Sequence, residues 1–455
     1  MNRFTSVVEL TDKNNIGTLQ DEYKGIFTVQ SKNQPVKYSF LMQFSNFGNK
    51  FRGGTGIAEL MHDLAHLPDN GRPLYRLGGG NPAYIPALNE AFAQQIRHFA
   101  DNPVSFGESA GTYSAAQGHQ GFIRSLSKLL NKQYGWPISE RNIALTNGSQ
   151  NAFFMLFNLF GGATAGVDRK ILLPMSPEYI GYEDVSVDAP LFVSQRPLIE
   201  KLDDQLFKYR LDKANLSVDD NVAAICVSRP TNPTGNVLTD NEVAALDALA
   251  LEHDVPLIID NAYGAPFPNI INVPATLNWH ENIVLSMSFS KLGLPGARTG
   301  IVVASEEIID ALTQMNAVMN LSPSSLAAGI MQPLFDNGEV LDLCEQHVRP
   351  HYQQRAQQAL GWFRQSFEEV PALAHKPEGS IFLWLWFPEL KITSAELYQR
   401  LKQLGVIIVP GHYFFPGLDE PWEHKNQCIR VNIGGDAQEL KIGLDLIARE
   451  VQKNT

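Results

Sequence analysis

A mainly parallel β-sheet packed between helices, followed by a smaller α+β domain, is the architecture this sequence predicts. Three observations carry that expectation. Between Leu77 and roughly Ala304, short apolar runs alternate with helical patterns. The runs (NIALTNGS, KILLPMSP, AAICVSRP, PLIIDNAYG, NIVLSMSFS and GIVVAS) are apolar on both faces, as strands covered by helices on each side must be. Each ends in Gly, Ser, Asn, Asp or Pro, and in such sheets ligands collect beyond the carboxyl ends of the strands. The polar residues closing the runs are therefore the candidates for chemistry.

Taken in order, residues 1–41 are polar and weakly periodic, an extension expected to be poorly ordered, and Met42 reads as a possible start. Globular patterning begins near Phe44. A large domain is expected over 83–348. A smaller one should combine 42–82 with 349–455, because the pattern changes after Val348. There a long helical stretch, RPHYQQRAQQALGWFRQSF, leads into alternating strands and helices (SIFLWLWF, VIIVPG, QCIRVNIG) and a last helix from about Asp436.

Composition narrows the function classes. The 455 residues are 44% hydrophobic and 18% charged, ordinary for a globular protein and enough for two domains at roughly 100–200 residues each. A net charge of −12 argues against nucleic-acid or anionic-membrane partners, which need an excess of Lys and Arg. Cys226, Cys344 and Cys428 are far apart and form no CxxC pair, so free thiols are expected, without a disulfide framework or a metal site. No apolar run approaches the roughly 20 residues of a membrane span, and no secretory pattern opens the chain, so a cytoplasmic protein is expected.

The chemistry starts at SMSFSKLGLPGARTG. Lys291 follows a strand-like run and stands among Ser288, Ser290, Gly293, Gly296 and Arg298. Hydroxyls and a guanidinium donate to a phosphate ester, and glycine lets backbone amides approach it. A lysine there is free to form an imine with an aldehyde once its pKa is lowered. In PLIIDNAYG, Asp260 closes a run so apolar that an unpaired carboxylate would be costly, and a pyridinium nitrogen would give it a partner. Tyr263, three residues on, and Asn232 of CVSRPTNPTG could reach a ring oxygen. Gly148, Ser149 and Gln150 sit where a strand turns into a helix, whose free N-terminal amides suit an anion. Each string alone has a plainer reading, as a solvated lysine, a turn or an ordinary cap; their co-occurrence decides. No HExxH, Walker or GxSxG string competes, and the GxG at Gly78–Gly80 lacks the third glycine of a dinucleotide fingerprint.

Together these strings resemble the fold-type I, pyridoxal-phosphate (PLP) dependent aminotransferases of class I and II, from Met42 to the C-terminus. PEYIGY and PGHYFFPGLD look most like the family's valine–pyruvate branch. The resemblance implies a seven-stranded, mainly parallel sheet in the large domain. It implies Lys291 as the imine-forming lysine and proton shuttle, Asp260 on the pyridine nitrogen, and Asn232 and Tyr263 on the ring oxygen. A phosphate cup would comprise Gly148, Ser149, Gln150, Ser288, Ser290 and Arg298, with Tyr113 of YSAAQG reaching a partner subunit's phosphate in a homodimer. Tyr179 matches the aromatic that stacks on the ring. Arg430 would grip the substrate carboxylate, with Gly80 contacting it through backbone and Asn232 alongside. The Lys291–Arg298 spacing is one residue shorter than in aspartate aminotransferases.

Substrates follow from what is missing. Neither Arg nor Lys occurs between Arg298 and Arg349, where aspartate-specific relatives carry the cation for a distal carboxylate. Monocarboxylic substrates are therefore expected, with valine and alanine as donors and pyruvate and 2-oxoisovalerate as acceptors. Fold does not dictate reaction type, so a lyase, racemase or decarboxylase remains an alternative. A non-catalytic PLP-binding effector domain is a further one, although it would need a basic DNA-binding module.

Overall fold

A computed structural model describes residues 25–30, 35–40, 43–52, 56–65, 73–164, 166–187 and 190–455. Met1–Gly53 and Gly54–Thr455 are separate compact units. In the first, Gly25–Gln30 and Pro35–Phe40 pair as an antiparallel ladder, within the stretch expected to be poorly ordered. The remainder of that extension and the suggested start at Met42 lie outside the described residues.

Gly54–Thr455 is built around two sheets. The larger has eight strands, one more than expected. In space they run Ile143–Thr146, Gly300–Val303, Ile283–Ser288, Leu257–Asp260, Val222–Ser228 and Asp168–Leu173, with Gly162–Ala163 and Phe192–Ser194 both against the last. Gly162–Ala163 and Phe192–Ser194 lie outside the six apolar runs, being too short to register as such. Parallel pairing joins the central strands, while Gly300–Val303 is antiparallel to both neighbours. The five strands Ile143–Thr146, Val222–Ser228, Leu257–Asp260, Ile283–Ser288 and Gly300–Val303 are buried at every position, which explains their unbroken apolar runs.

Register then places the chemistry. Asp260 lies beside Ser228 on one side and Ser286 on the other, so three polar residues leave the sheet at one edge. Ser288 faces Gly300, which in turn faces Thr146, bringing the lysine loop against the turn that opens helix Ser149–Phe160.

The second sheet runs Val409–Pro410, Cys428–Asn432, Phe382–Trp386, Leu373–His375, Leu206–Arg210 and Leu198–Lys201. Its last two strands come from the middle of the large segment. Helices Arg349–Ser366, Ser394–Gln403 and Ala437–Gln452 pack on it through Phe363, Leu397, Leu401, Leu444 and Ile447. Asp436 caps the last helix, its carboxylate accepting from the amides of Gln438 and Glu439.

The run VIIVPG reads as one strand but is divided between two sheets. Val406–Ile407 pairs in parallel with Tyr75–Arg76, whereas Val409–Pro410 is antiparallel to Cys428–Asn432. That division carries Gly78–Gly80 to the second sheet. No described helix is long and apolar enough to cross a membrane.

Candidate active site

A cavity of about 630 Å³ opens at the carboxyl edge of the large sheet. Of the sequence-predicted residues, Gly80, Ser149, Gln150, Tyr179, Asn232, Asp260, Tyr263, Ser288, Ser290, Lys291 and Arg298 line it. Gly148 and Arg430 adjoin it through those side chains, as described below. Tyr113 alone stands apart: it is 82% exposed and lines no part of this cavity.

Lys291 Nζ donates to the Gly80 carbonyl at 2.6 Å and lies 5.4 Å from the centre of the Tyr263 ring. Burial, aided by the positive charge of Arg430, brings its pKa down to about 8, while Asp260 pulls the other way. Near neutrality a useful fraction is therefore an uncharged amine, the form able to attack a carbonyl or take a proton.

Asp260 is 9% exposed and accepts from two neutral donors, the Tyr182 hydroxyl at 2.9 Å and the Ala262 amide at 3.1 Å. Burial pushes its pKa up to about 6, which those hydrogen bonds and Lys291 partly offset. The Tyr263 hydroxyl is buried without a partner.

The anion cup is equally legible. Gly148 (φ 88°) precedes helix Ser149–Phe160 and supplies no side-chain cap. A Cβ there would collide with the Arg298 guanidinium, so the arginine lies directly over the helix N-terminus. Arg298 itself is left-handed (φ 47°), and its guanidinium also donates to the Pro295 carbonyl at 3.4 Å, which ties it to the lysine loop. The Ser290 amide donates to Ser288 Oγ at 3.0 Å, fixing the loop. Gln150 differs from expectation in detail: its side-chain amide donates to the Gly181 carbonyl at 2.7 Å, leaving its own carbonyl oxygen buried and unpartnered.

Arg430, from Cys428–Asn432, is 2% exposed. It donates to Asn232 Oδ1 and to the Gly78 carbonyl, both at 2.8 Å, and its Nε is buried without a partner. Phe382 and Phe414 flank the guanidinium at 4.1 and 5.2 Å. Burial lowers its pKa to about 10, so it remains a cation in any neutral buffer.

A buried carboxylate, a helix N-terminus under an arginine, and an unpaired tyrosine hydroxyl around one lysine match the parts of the family the sequence resembles. The class I and II aminotransferase family matches residues 75–447. The chain belongs to that family. It is 47% identical over 414 residues to valine–pyruvate aminotransferase of Escherichia coli K12, covering 90% of this chain and 99% of that one. The solved valine–pyruvate aminotransferase of Salmonella typhimurium LT2 is 46% identical, with a TM-score of 0.80 over 87% of this chain and 98% of its own. Aspartate aminotransferase from Thermus thermophilus, at 18% identity, shares the fold with a TM-score of 0.72 over 90% of this chain and all of its own.

Class I and II aminotransferases depend on pyridoxal phosphate, and the residues of this aminotransferase fit that group. Gly148 leaves the space over which Arg298 and the helix amides converge on an anion, and Tyr263 keeps a buried donor free. Sequence reasoning missed several neighbours. Tyr182, Ser228 and Glu178 form a buried chain behind Asp260, although PEYIGY and CVSRP carried them in plain view. Asn432 braces the glycine loop, its amide donating to the Gly79 carbonyl at 2.6 Å. Arg76 and Glu439 also line the cavity, Arg76 from an exposed position and Glu439 from a half-buried one. Arg76 is brought in by the short Tyr75–Arg76 strand, outside the Arg298–Arg349 interval searched for a second cation.

Proposed function

We propose that this chain transfers the amino group of L-valine to pyruvate, yielding 2-oxoisovalerate and L-alanine in two half-reactions at one site. The observation that carries this is the buried Arg430, held by Asn232 and Gly78 between two phenyl rings, opposite Lys291. It offers one desolvated carboxylate grip, and the 47% identical E. coli relative is named for these substrates. Arg76 is exposed, and a solvated cation adds little to the binding of a distal carboxylate.

Each residue has a role in this reading. Bound pyridoxal phosphate supplies an aldehyde for the amino group and a ring that withdraws electrons from the substrate α-carbon. Lys291 would anchor it through its amine, and the same amine, in its uncharged form, would take the substrate α-proton and give it back during the transfer. Asp260 holds the ring nitrogen protonated, and Asn232 and Tyr263 donate to the ring oxygen. Ser149, Gln150, Ser288, Ser290 and Arg298, with the Gly148 turn, hold the phosphate. Tyr179 covers the ring face. Arg430 orients the substrate carboxylate, with the Gly80 backbone beside it.

The active form proposed is a cytoplasmic homodimer. Tyr113, exposed and outside its own cavity, would complete the phosphate site of a partner subunit, as a two-fold interface allows. Within each subunit, residues 83–348 would form the large cofactor-binding domain and 42–82 with 349–455 the smaller one. The test is kcat/KM for valine with pyruvate against aspartate with 2-oxoglutarate. The first pair should win by a wide margin, since a distal carboxylate would lose water without a buried partner; preference for the second would overturn the reading.

A further inference from the structure

Behind Asp260 lies a line of buried oxygen atoms that ends in a second carboxylate. Tyr182 Oη donates to Asp260 Oδ2 at 2.9 Å. Ser228 Oγ is 3.5 Å from Tyr182 Oη, the longest step, and 2.5 Å from Glu178 Oε2. The Ser228 amide donates to Glu178 Oε1 at 2.9 Å. All four residues are buried: Glu178 is 1% exposed, Ser228 2% and Tyr182 0%. Phe153 and Phe157 clamp the Tyr182 ring, each centroid 5.0 Å away, and the Cys226 thiol lies beside its hydroxyl.

Counting protons gives this line a direction. An ionised carboxylate only accepts, and a hydroxyl has one proton to give. Tyr182 spends its proton on Asp260, so its oxygen can only accept, and Ser228 is the hydroxyl placed to donate to it. Were Glu178 ionised, Ser228 would have to donate to Glu178 instead. Tyr182 would then have only the weak Cys226 thiol as a donor, and two buried negative charges would share one apolar wall. Among the described residues Glu178 forms no ion pair; the titratable groups around it are Asp260, Cys226 and Tyr182, none of them cationic.

We propose that Glu178 is held as the un-ionised acid and donates to Ser228, which donates to Tyr182, which donates to Asp260, forming a positioning relay. The relay keeps Asp260 the one charged carboxylate and aims it at the ring nitrogen of the cofactor. Burial, with Asp260 adding to it, raises the Glu178 pKa to about 8, in accord with that protonation at neutral pH. Tyr182 and Glu178 line no part of the cavity, whereas Ser228 borders it. They act through Asp260, and the inference rests on reading Asp260 as the partner of the ring nitrogen.

Two readouts independent of turnover test it on the cofactor-loaded enzyme. The infrared difference spectrum between wild type and Glu178→Gln at neutral pH should contain the carbonyl band of an un-ionised carboxylic acid; its absence overturns the relay. The nitrogen NMR resonance of isotope-labelled pyridoxal phosphate reports whether the ring is protonated. Asp260→Asn is the reference and should move it toward the free-base position. Tyr182→Phe should move it the same way and weaken cofactor affinity several-fold, and Ser228→Ala should do so by less. Glu178→Gln, whose amide can donate as the neutral acid does, should leave resonance and affinity near wild type. If Glu178→Gln perturbs the ring as much as Tyr182→Phe, the charged form is required and the proposal falls. If Asp260→Asn shifts the resonance and neither Tyr182→Phe nor Ser228→Ala does, the relay fails while the Asp260 pairing stands. If Asp260→Asn itself leaves it in place, the pairing fails and the relay with it.

Discussion

Two buried charges act on Lys291 from different sheets, and they are supported in opposite ways. Asp260 is the outlet of a chain of neutral hydroxyls in the large sheet. Arg430 stands on the second sheet between two aromatic faces, with one side-chain carbonyl and one backbone carbonyl as its acceptors. Neither has a salt-bridge partner among the described residues. A buried charge without its counter-charge is costly unless a ligand supplies one. Asp260 thus calls for a cation in the cofactor, and Arg430 for an anion on the substrate.

Lys291, between the two, should give the largest effect. Lys291→Ala should lower kcat by on the order of 10⁴-fold, the scale of a lost proton shuttle, while the protein still folds and holds the cofactor weakly. Borohydride reduction and peptide mapping of wild type should label Lys291; a stable label on another lysine would refute the assignment. Asp260→Asn should keep the cofactor bound yet reduce the rate by several orders of magnitude. A variant within about tenfold of wild type, about 1.4 kcal/mol in barrier, would place the electron sink elsewhere.

Breaking the other pole should look different. Arg430→Gln should leave cofactor affinity intact and lower kcat/KM by on the order of 100-fold, about 3 kcal/mol, as expected when one partner of a desolvated charge pair is truncated. An equal loss of cofactor affinity would mean that the poles are not separable.

A smaller effect concerns stability. Glu178 is raised in the fold from 4.5 to about 8 and Asp260 from 3.8 to about 6. A raised folded pKa means the folded state binds more protons, so this contribution is complete below the unfolded value and is lost as pH rises through the folded one. Cofactor-free protein should therefore lose part of its stability between pH 4.5 and about 8, and Glu178→Gln should flatten that slope in a urea titration series. An unchanged slope would place the titration elsewhere. The smallest effect is assigned to Arg76. Arg76→Gln should alter kcat/KM for valine by less than about fivefold, because an exposed charge contributes roughly 1 kcal/mol or less. A loss comparable with Arg430→Gln would make Arg76 a second substrate clamp.

The two poles also differ in how much of them could be read beforehand. Asp260, Lys291 and Asn232 end apolar runs, and a run-ending polar residue on a parallel sheet is a local signal. Arg430 lies within a strand, where nothing local separates it from a surface arginine; only the family resemblance singled it out. The chain behind Asp260 escaped because its members lie in three segments joined by packing, not by spacing. Arg76 escaped for a related reason: a two-residue strand leaves no periodicity, and its partner lies more than 300 residues away in the chain. The short strands Gly162–Ala163 and Phe192–Ser194 of the large sheet were illegible on the same grounds.

The divided run at Val406–Pro410 has an implication for how this enzyme can change. On one side of Ile408, Val406–Ile407 sets the position of Tyr75–Arg76 and so of the glycine loop; on the other, Val409–Pro410 is in register with Arg430 itself. Ile408 is fully buried at the joint, and a Cβ on Gly78 would come within 3.2 Å of its backbone. Deleting one residue there would displace the loop that accepts from Lys291 relative to the strand that bears Arg430, moving both walls of the substrate chamber at once. Length variation is thus barred from this joint, and new substrate preferences must come from side-chain replacement in a chamber of constant frame.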